Sequence, residues 1–350
     1  MSFDISLPSH VPEQIAVYQT DHLLTHAACR FDPRQGAEMF QGTHEVMAID
    51  LGGDKVRKAT YAIRNGTFAK RDEETLQSRG GAGYLSFLER AANEAIANDL
   101  RVGISSATKL DGSVVSRTVN LPAFFEEFTQ RYGADYESLF PGRSVVANDT
   151  ISGICGASTL LALQGRVFRD VAFFICGSGL GASVINDGVA IHVEAANVPL
   201  MLSLNPLGQT TRCSVEGKDY VCLERVTAAR AGIEDLYVQQ AGAALDGVTL
   251  GQMYEEGDAL ATLLYETSAL ALAHAAVGVM RRYGFAGSGE SAVVFHGGNL
   301  EIGTYREAVR RHLAALPGPR VETVFSRDLS SNVCVDGAAV LAVCSDSPVP

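Results

Sequence analysis

Short, wholly apolar runs along the chain end in glycine, and longer stretches repeat their apolar positions with helical spacing. Residues 46–49, 171–175 and 293–295 are unbroken apolar runs of the kind that fill a sheet strand buried on both faces. Each leads into a glycine turn: Gly52-Gly53, Gly177-Ser178-Gly179 and Gly297-Gly298. Residues 46–65 read as a hairpin, with Asn65-Gly66 as a further turn. Leu85, Leu88, Ala92 and Ile96 share one face of a helix predicted over 84–98. Strands are predicted over 101–105, 144–147 and 182–185, and helices over 124–132, 150–163, 224–240, 258–283 and 333–343.

The glycine turns change the picture, because a turn without side chains bares backbone N–H groups to an anion. Asp50 closes the first strand, and Lys55 and Arg57 add positive charge beyond the turn. An ordinary hairpin with a Gly-Gly turn fits that segment equally well when it is taken alone. The second loop is not a dinucleotide fingerprint, since it continues into a strand where that motif opens a helix. Asp149 follows the 144–147 strand and Asn148 and stands where the next helix begins. Both capping and catalysis suit an acid there: Asn and Asp are favoured N-caps, and a helix N-terminus favours an anionic carboxylate.

Composition narrows the partners. With 350 residues and 47% hydrophobic content the chain can fill the cores of two domains. A formal net charge of −12 argues against nucleic acid, which needs a basic face. An ATP site remains compatible, because local loops and Mg²⁺ supply the positive field. Seven irregularly spaced cysteines do not form a disulfide framework, and Cys155 and Cys176 read as reduced core thiols. The start, MSFDISLPSHVPEQ, lacks the pattern of a secretory signal, and the polar breaks in 258–283 argue against a membrane span. A cytoplasmic location is expected.

The order of the loops resembles the ASKHA superfamily of actin, Hsp70 and sugar kinases, and most of all its ROK group, over roughly residues 45–345. Asp50-Leu51-Gly52-Gly53 is similar to that group's first phosphate loop, 103–124 to the stretch ending in Asn-Leu-Pro, and Asn148-Asp149 to the motif with the catalytic acid. Gly177-Ser178-Gly179 resembles the second phosphate loop, Gly297-Gly298 the adenosine loop, and Asp336-Gly337-Ala338-Ala339 the closing helix. The resemblance implies an α/β fold, the two-domain ASKHA (ribonuclease H-like) fold with ATP in the interdomain cleft. Residues 1–44 would be an N-terminal extension, 45–146 with 330–350 the first domain, and 147–329 the second.

The same resemblance implies roles. Asp149 would be the general base that takes the proton of an acceptor hydroxyl. Asp50 would orient Mg²⁺ through water. Gly52, Gly53, Asp54, Lys55, Gly177, Ser178 and Gly179 would line the phosphates, and Gly297 and Gly298 would approach the adenosine. Asp54 departs from the usual Thr and sets a carboxylate beside phosphate. Asn120, Asn148, Glu194, Asn197 and Glu224 would bind acceptor hydroxyls, with surface polarity an open alternative for Glu224. The group's Gly-Glu-x-Gly-His becomes Val193-Glu194-Ala195-Ala196-Asn197, and of its zinc-binding cysteines only Cys222 survives, so no zinc is expected. The expected activity is ATP- and Mg²⁺-dependent phosphorylation of the primary hydroxyl of a hexose-like polyol. The altered residues tilt this toward a C7-cyclitol of aminocyclitol antibiotic biosynthesis. A glucokinase-type enzyme and a non-catalytic, sugar-sensing ROK protein are the alternatives. A small-molecule partner is expected, without nucleic acid or membrane, and the oligomeric state is open, a homodimer included.

Overall fold

The computed structural model describes residues 28–31, 43–64, 67–118, 121–196, 198, 222–287 and 289–344. The Asn65-Gly66 turn, Asn120, Asn197 and most of the N-terminal extension lie outside the described residues.

In chain order the strands are β1 (Ala28–Arg30), β2 (Thr43–Leu51), β3 (Lys55–Arg64), β4 (Thr67–Gln77), β5 (Arg101–Ser106), β6 (Lys109–Asp111), β7 (Val114–Arg117), β8 (Ser144–Asn148), β9 (Asp170–Cys176), β10 (Leu180–Asn186), β11 (Val189–Val193), β12 (Ser291–His296) and β13 (Glu322–Phe325). A five-stranded sheet runs in the order β4-β3-β2-β5-β8, and a six-stranded sheet in the order β1-β11-β10-β9-β12-β13. Strands β6 and β7 form a small antiparallel ribbon.

In the five-stranded sheet, β2 and β3 form the expected hairpin, with Leu51 opposite Val56 at its closed end. Strands β5 and β8 continue the sheet in parallel with β2. Residues 46–49 of β2 are buried throughout, which is why that strand reads as an unbroken apolar run. Strand β4 lies at the sheet edge and is mostly exposed and charged. Such charge suits an edge, where it discourages pairing with another chain.

Two compact units divide the chain. One holds the described residues up to Phe173, together with Ser183–His192 and those from Ser326 onward; the other holds Phe174–Ala182 and the described part of Val193–Phe325. In the first unit, helix Tyr84–Ala97 buries Leu85, Leu88 and Ala92 as the spacing predicts, while Ile96 stays 52% exposed. Its core neighbours include stacked Phe124 and Phe128, with Tyr136 beside them.

Helices Asp149–Leu163 and Val333–Cys344 approach each other and the sheet with no room for a side chain. A Cβ on Gly337 would lie 1.7 Å from the Ser152 carbonyl oxygen, and one on Gly156 would lie 2.2 Å from that of Val333. A Cβ on Gly103 in β5 would meet the Ala338 oxygen at 1.8 Å. The closing Gly-Ala-Ala segment therefore has a steric reason for its small residues.

In the second unit, the helix expected over 224–240 is broken. Helix Glu224–Thr227 ends at Ala228, whose backbone is extended (φ −66°, ψ 148°). A π-turn, Ala229–Glu234, follows, with the Ile233 N–H donating five residues back to Ala228, and helix Asp235–Ala241 comes after it. The break directs the Ala229 N–H to the Gly177 carbonyl at 2.9 Å, so a loop contact outweighs helix continuity. Helix Ala259–Arg282 is long and apolar enough to cross a membrane by length and composition, and its most apolar window is 83% buried within the fold.

Candidate active site

Parallel strands β2, β5 and β8 end on the same side of their sheet, where ligands of open α/β sheets commonly bind. The register sets Asp50 beside Ser105, and Leu51 beside Ser106 beside Asn148. Leu51 and Asn148 are thus about two strand spacings, or roughly 10 Å, apart.

Asp50 is 8% exposed and well held. Its Oδ1 accepts from Ser105 Oγ at 2.8 Å, and its Oδ2 from Asn332 Nδ2 at 3.1 Å. Arg57, its cross-strand partner, reaches Oδ2 at 3.5 Å. Asn332 has two tasks, because its Oδ1 also accepts from the N–H groups of Cys334 and Val335 at the start of the last helix. A carboxylate offers about four lone pairs, so three donors leave room for one more. That leaves room for a water on Mg²⁺ but not for direct bidentate ligation. If bound there, Mg²⁺ would neutralise phosphate charge.

The first glycine turn is tighter than its sequence implies. Gly52 N–H donates to the Lys55 carbonyl at 2.9 Å, so this N–H closes the hairpin and is not bared to an anion. Tyr84 Oη donates to the Gly52 carbonyl at 3.4 Å. Burial, then the charges of Asp54 and Asp50, raise the Tyr84 phenol and keep it a neutral donor. The Asp54 carbonyl accepts from Ser78 N–H at 3.0 Å, which ties the turn to the segment after β4.

Asp149 is the first residue of helix Asp149–Leu163, with Asn148 as its N-cap. Asn148 Oδ1 accepts from Thr150 N–H at 3.0 Å and from Thr150 Oγ1 at 2.7 Å. The capping is done by Asn148, and its Oδ1 is thereby engaged; its amide Nδ2 donates only a long bond, 3.4 Å, to the Thr108 carbonyl. Asp149 is half-buried, and its Oδ1 accepts from Thr150 N–H at 2.9 Å. Both Asp50 and Asp149 act on the buried thiol of Cys334, which burial first and then these two carboxylates push far up.

In the other unit, Gly177 N–H donates to the Gly179 carbonyl at 2.9 Å, forming a turn at the end of β9. Ser178 accepts from Ala231 N–H at 3.4 Å, which anchors the same loop. Gly297 has φ 132°, and a Cβ there would fall 2.0 Å from the Cys176 carbonyl oxygen, so close approach demands glycine. Gly177 and Gly298 have nothing within 4 Å of a Cβ position, which leaves space beside both loops. Asn299 is buried, with Nδ2 3.5 Å from the Thr227 carbonyl.

Glu224 Oε1 accepts from Leu180 N–H at 3.2 Å. Burial raises its carboxyl, and the charge of Glu194 pushes the same way, so these two expected sugar-binding acids share a neighbourhood. Leu180 and Arg225 oppose the rise. Cys222, the one survivor of the zinc cluster, is disulfide-bonded, and a disulfide sulfur is not a thiolate ligand. Among the described residues no group of three or more His, Cys, Asp or Glu is placed to hold a metal ion.

Sequence reasoning missed Ser105 and Asn332, which hold Asp50, and Thr150, which joins Asn148 to His192. Asn332 carried a readable signal as a capping residue before an apolar helix. The others pair across strands or between distant segments and carried none.

No protein-family model matches the sequence, and no curated protein sequence matches it. Solved structures do. A ROK hexokinase from Thermus thermophilus shares the fold with a TM-score of 0.59 at 20% identity, over 85% of this chain and 97% of that one. A ROK family glucokinase from Streptomyces griseus, in complex with glucose and AMPPNP, gives 0.58 at 19% identity, over 85% and 98%. A ROK family transcriptional regulator, a homolog of the E. coli MLC protein, gives 0.57 at 17% identity, over 85% and 78%. The α/β fold expected from the loop order is thus the fold of this chain, shared with these solved ROK structures.

Proposed function

We propose that this chain is a ROK-type kinase that transfers the γ-phosphate of ATP to the primary hydroxyl of a hexose-like polyol. The observation that carries the reading is the placement of Asp50 near the end of β2 and of Asp149 directly after β8, at the carboxyl ends of two parallel strands that flank β5 in one sheet. Phosphoryl transfer needs little covalent chemistry; it needs positioning, charge neutralisation and a base for the acceptor proton. Asp149 takes the acceptor proton. Asp50, held by Ser105, Asn332 and Arg57, would orient a water on Mg²⁺ when the ion is bound. Loops 177–179 and 297–298 hold the nucleotide, while Glu194, Glu224 and the Asn148 amide bind acceptor hydroxyls. Asn120 and Asn197 join them by sequence alone. The fold it shares with a glucokinase that binds AMPPNP favours ATP as donor. It is also shared with a regulator, so turnover is the deciding test. ADP release from MgATP with a panel of polyols, followed by phosphorus NMR of the product, measures it; no turnover with any polyol rejects the kinase reading.

Metal dependence gives a second expectation. Purified protein should hold no stoichiometric zinc and keep its melting temperature in chelator, while turnover should require added Mg²⁺. Elemental analysis finding one tightly bound zinc per chain would contradict it.

We favour a cyclitol over glucose as acceptor. Asn197 replaces the His that would hold a sugar's anomeric hydroxyl, and Asn offers one amide donor and one carbonyl acceptor with no metal link. A site that binds a hydroxyl rejects analogues lacking it, because its own polar groups are left unpaired. A site without that contact tolerates a carbocyclic ring. A cyclitol with an exocyclic CH₂OH should show the higher kcat/KM, with phosphate on that oxygen. If glucose is clearly the better substrate in the same assay, the chain is a glucokinase-type enzyme.

A further inference from the structure

Beside the candidate base lies a hydrogen-bonded chain of which the kinase reading uses only the Asn148 end. His192, in β11, places Nδ1 2.8 Å from Thr150 Oγ1. Thr150 is 1% exposed, and its carbonyl is fixed by Ser183 Oγ at 2.8 Å. Thr150 Oγ1 lies 2.7 Å from Asn148 Oδ1, and the orientation of that amide is set independently, because the same oxygen accepts from Thr150 N–H. An amide oxygen can only accept, so the Thr150 hydroxyl proton points at Asn148. Thr150 Oγ1 must then accept from His192, which requires the proton on Nδ1. Directions run one way: His192 Nδ1–H to Thr150 Oγ1–H to Asn148 Oδ1.

We infer that His192 is a positioning residue of the proposed phosphoryl transfer, setting the Asn148–Asp149 corner through Thr150; this role rests on the kinase reading. The Thr150 hydroxyl that His192 orients holds Asn148 Oδ1, and that oxygen shares the Thr150 backbone N–H with Asp149 Oδ1, so the hydroxyl bears on Asp149 through Asn148. Removing the donor leaves Thr150 free to turn its hydroxyl away, and the base loses the orientation in which it meets the acceptor.

The test compares variants by kcat and KM. His192→Leu should lower kcat about ten-fold, the scale of a modest misplacement of a reacting group, with the nucleotide KM unchanged. His192→Asn, whose amide N–H can stand at the Nδ1 position, should stay within about three-fold of wild type. Thr150→Val should fall as His192→Leu does, and the double variant should be no worse than Thr150→Val by more than about two-fold, since both break one chain. Nitrogen NMR of the imidazoles, with the His192 signal identified by its loss in His192→Asn, should give the Nδ1–H tautomer when the ring is neutral. An Nε2–H tautomer, unimpaired kcat in His192→Leu, or equal losses in the Leu and Asn variants each overturn the inference. Those outcomes are distinct from failure of the kinase reading, which would appear as no polyol turnover by wild type and would remove this role with it.

Discussion

Replacing Asp149 with Asn is expected to lower turnover by about two to four orders of magnitude, the usual range for loss of a general base. The substitution is nearly isosteric. Its amide oxygen can still accept from Thr150 N–H, and the N-cap at Asn148 is untouched. What disappears is the negative charge and the basic lone pair. Loss of charge at the helix N-terminus should cost about 0.3–1 kcal/mol of stability, a change of a few degrees at most in melting temperature. Nucleotide affinity should stay near wild type, because Asp149 is proposed to meet the acceptor oxygen and not the donor. The two readings of Asp149 thus separate cleanly. If it only stabilises the helix start, Asp149→Asn shows the small thermal shift and wild-type turnover. If it is the base, the thermal shift is equally small and turnover collapses. Steady-state kinetics alongside a thermal melt decides between them.

Much of this arrangement could be read from the chain before any coordinates. The apolar runs ending in glycine located β2, β9 and β12, and helical spacing located Tyr84–Ala97, because burial on a fixed side leaves a period in the sequence; Asp149–Leu163, Ala259–Arg282 and Val333–Cys344 are buried nearly all round, and their small, apolar composition marked them instead. Strand β4 left no such trace, since an exposed edge needs no apolar alternation. The break at Ala228 was hidden for another reason: its cause is a hydrogen bond to Gly177, far away in sequence. The site divides the same way. Asp50 and Asp149 stood out because each stands where a strand gives way, to a glycine turn and to a helix respectively. Arg57 was read as a cation near the turn, and only the antiparallel register reveals it as the partner of Asp50. Gly52 looked like a bare donor, yet its N–H closes the hairpin, a detail that depends on turn geometry and not on composition.

The second large effect is expected at Gly337, where Gly337→Ala should destabilise the fold by about 3 kcal/mol, the upper end for overpacking. The added methyl would fall 1.7 Å from the Ser152 carbonyl oxygen and 2.9 Å from the Gly156 nitrogen. Both are backbone atoms of helix Asp149–Leu163, so no side chain can swing aside and one helix must shift. On the sheet side, the Ala338 carbonyl already fills the place of a Gly103 side chain, so the last helix has no slack in that direction. Displacing it would also move Asn332, which starts that helix and holds Asp50. Turnover should therefore fall along with stability, even though Gly337 touches no ligand in the proposed mechanism. Gly298→Ala is the matched control: nothing lies within 4 Å of its Cβ position, so the melting temperature should stay near wild type while nucleotide affinity weakens. Thermal melts and nucleotide titrations of the two variants provide the comparison. A Gly337→Ala protein that melts like wild type would show that the helices can separate without penalty, and the steric account of the closing Gly-Ala-Ala segment would fail.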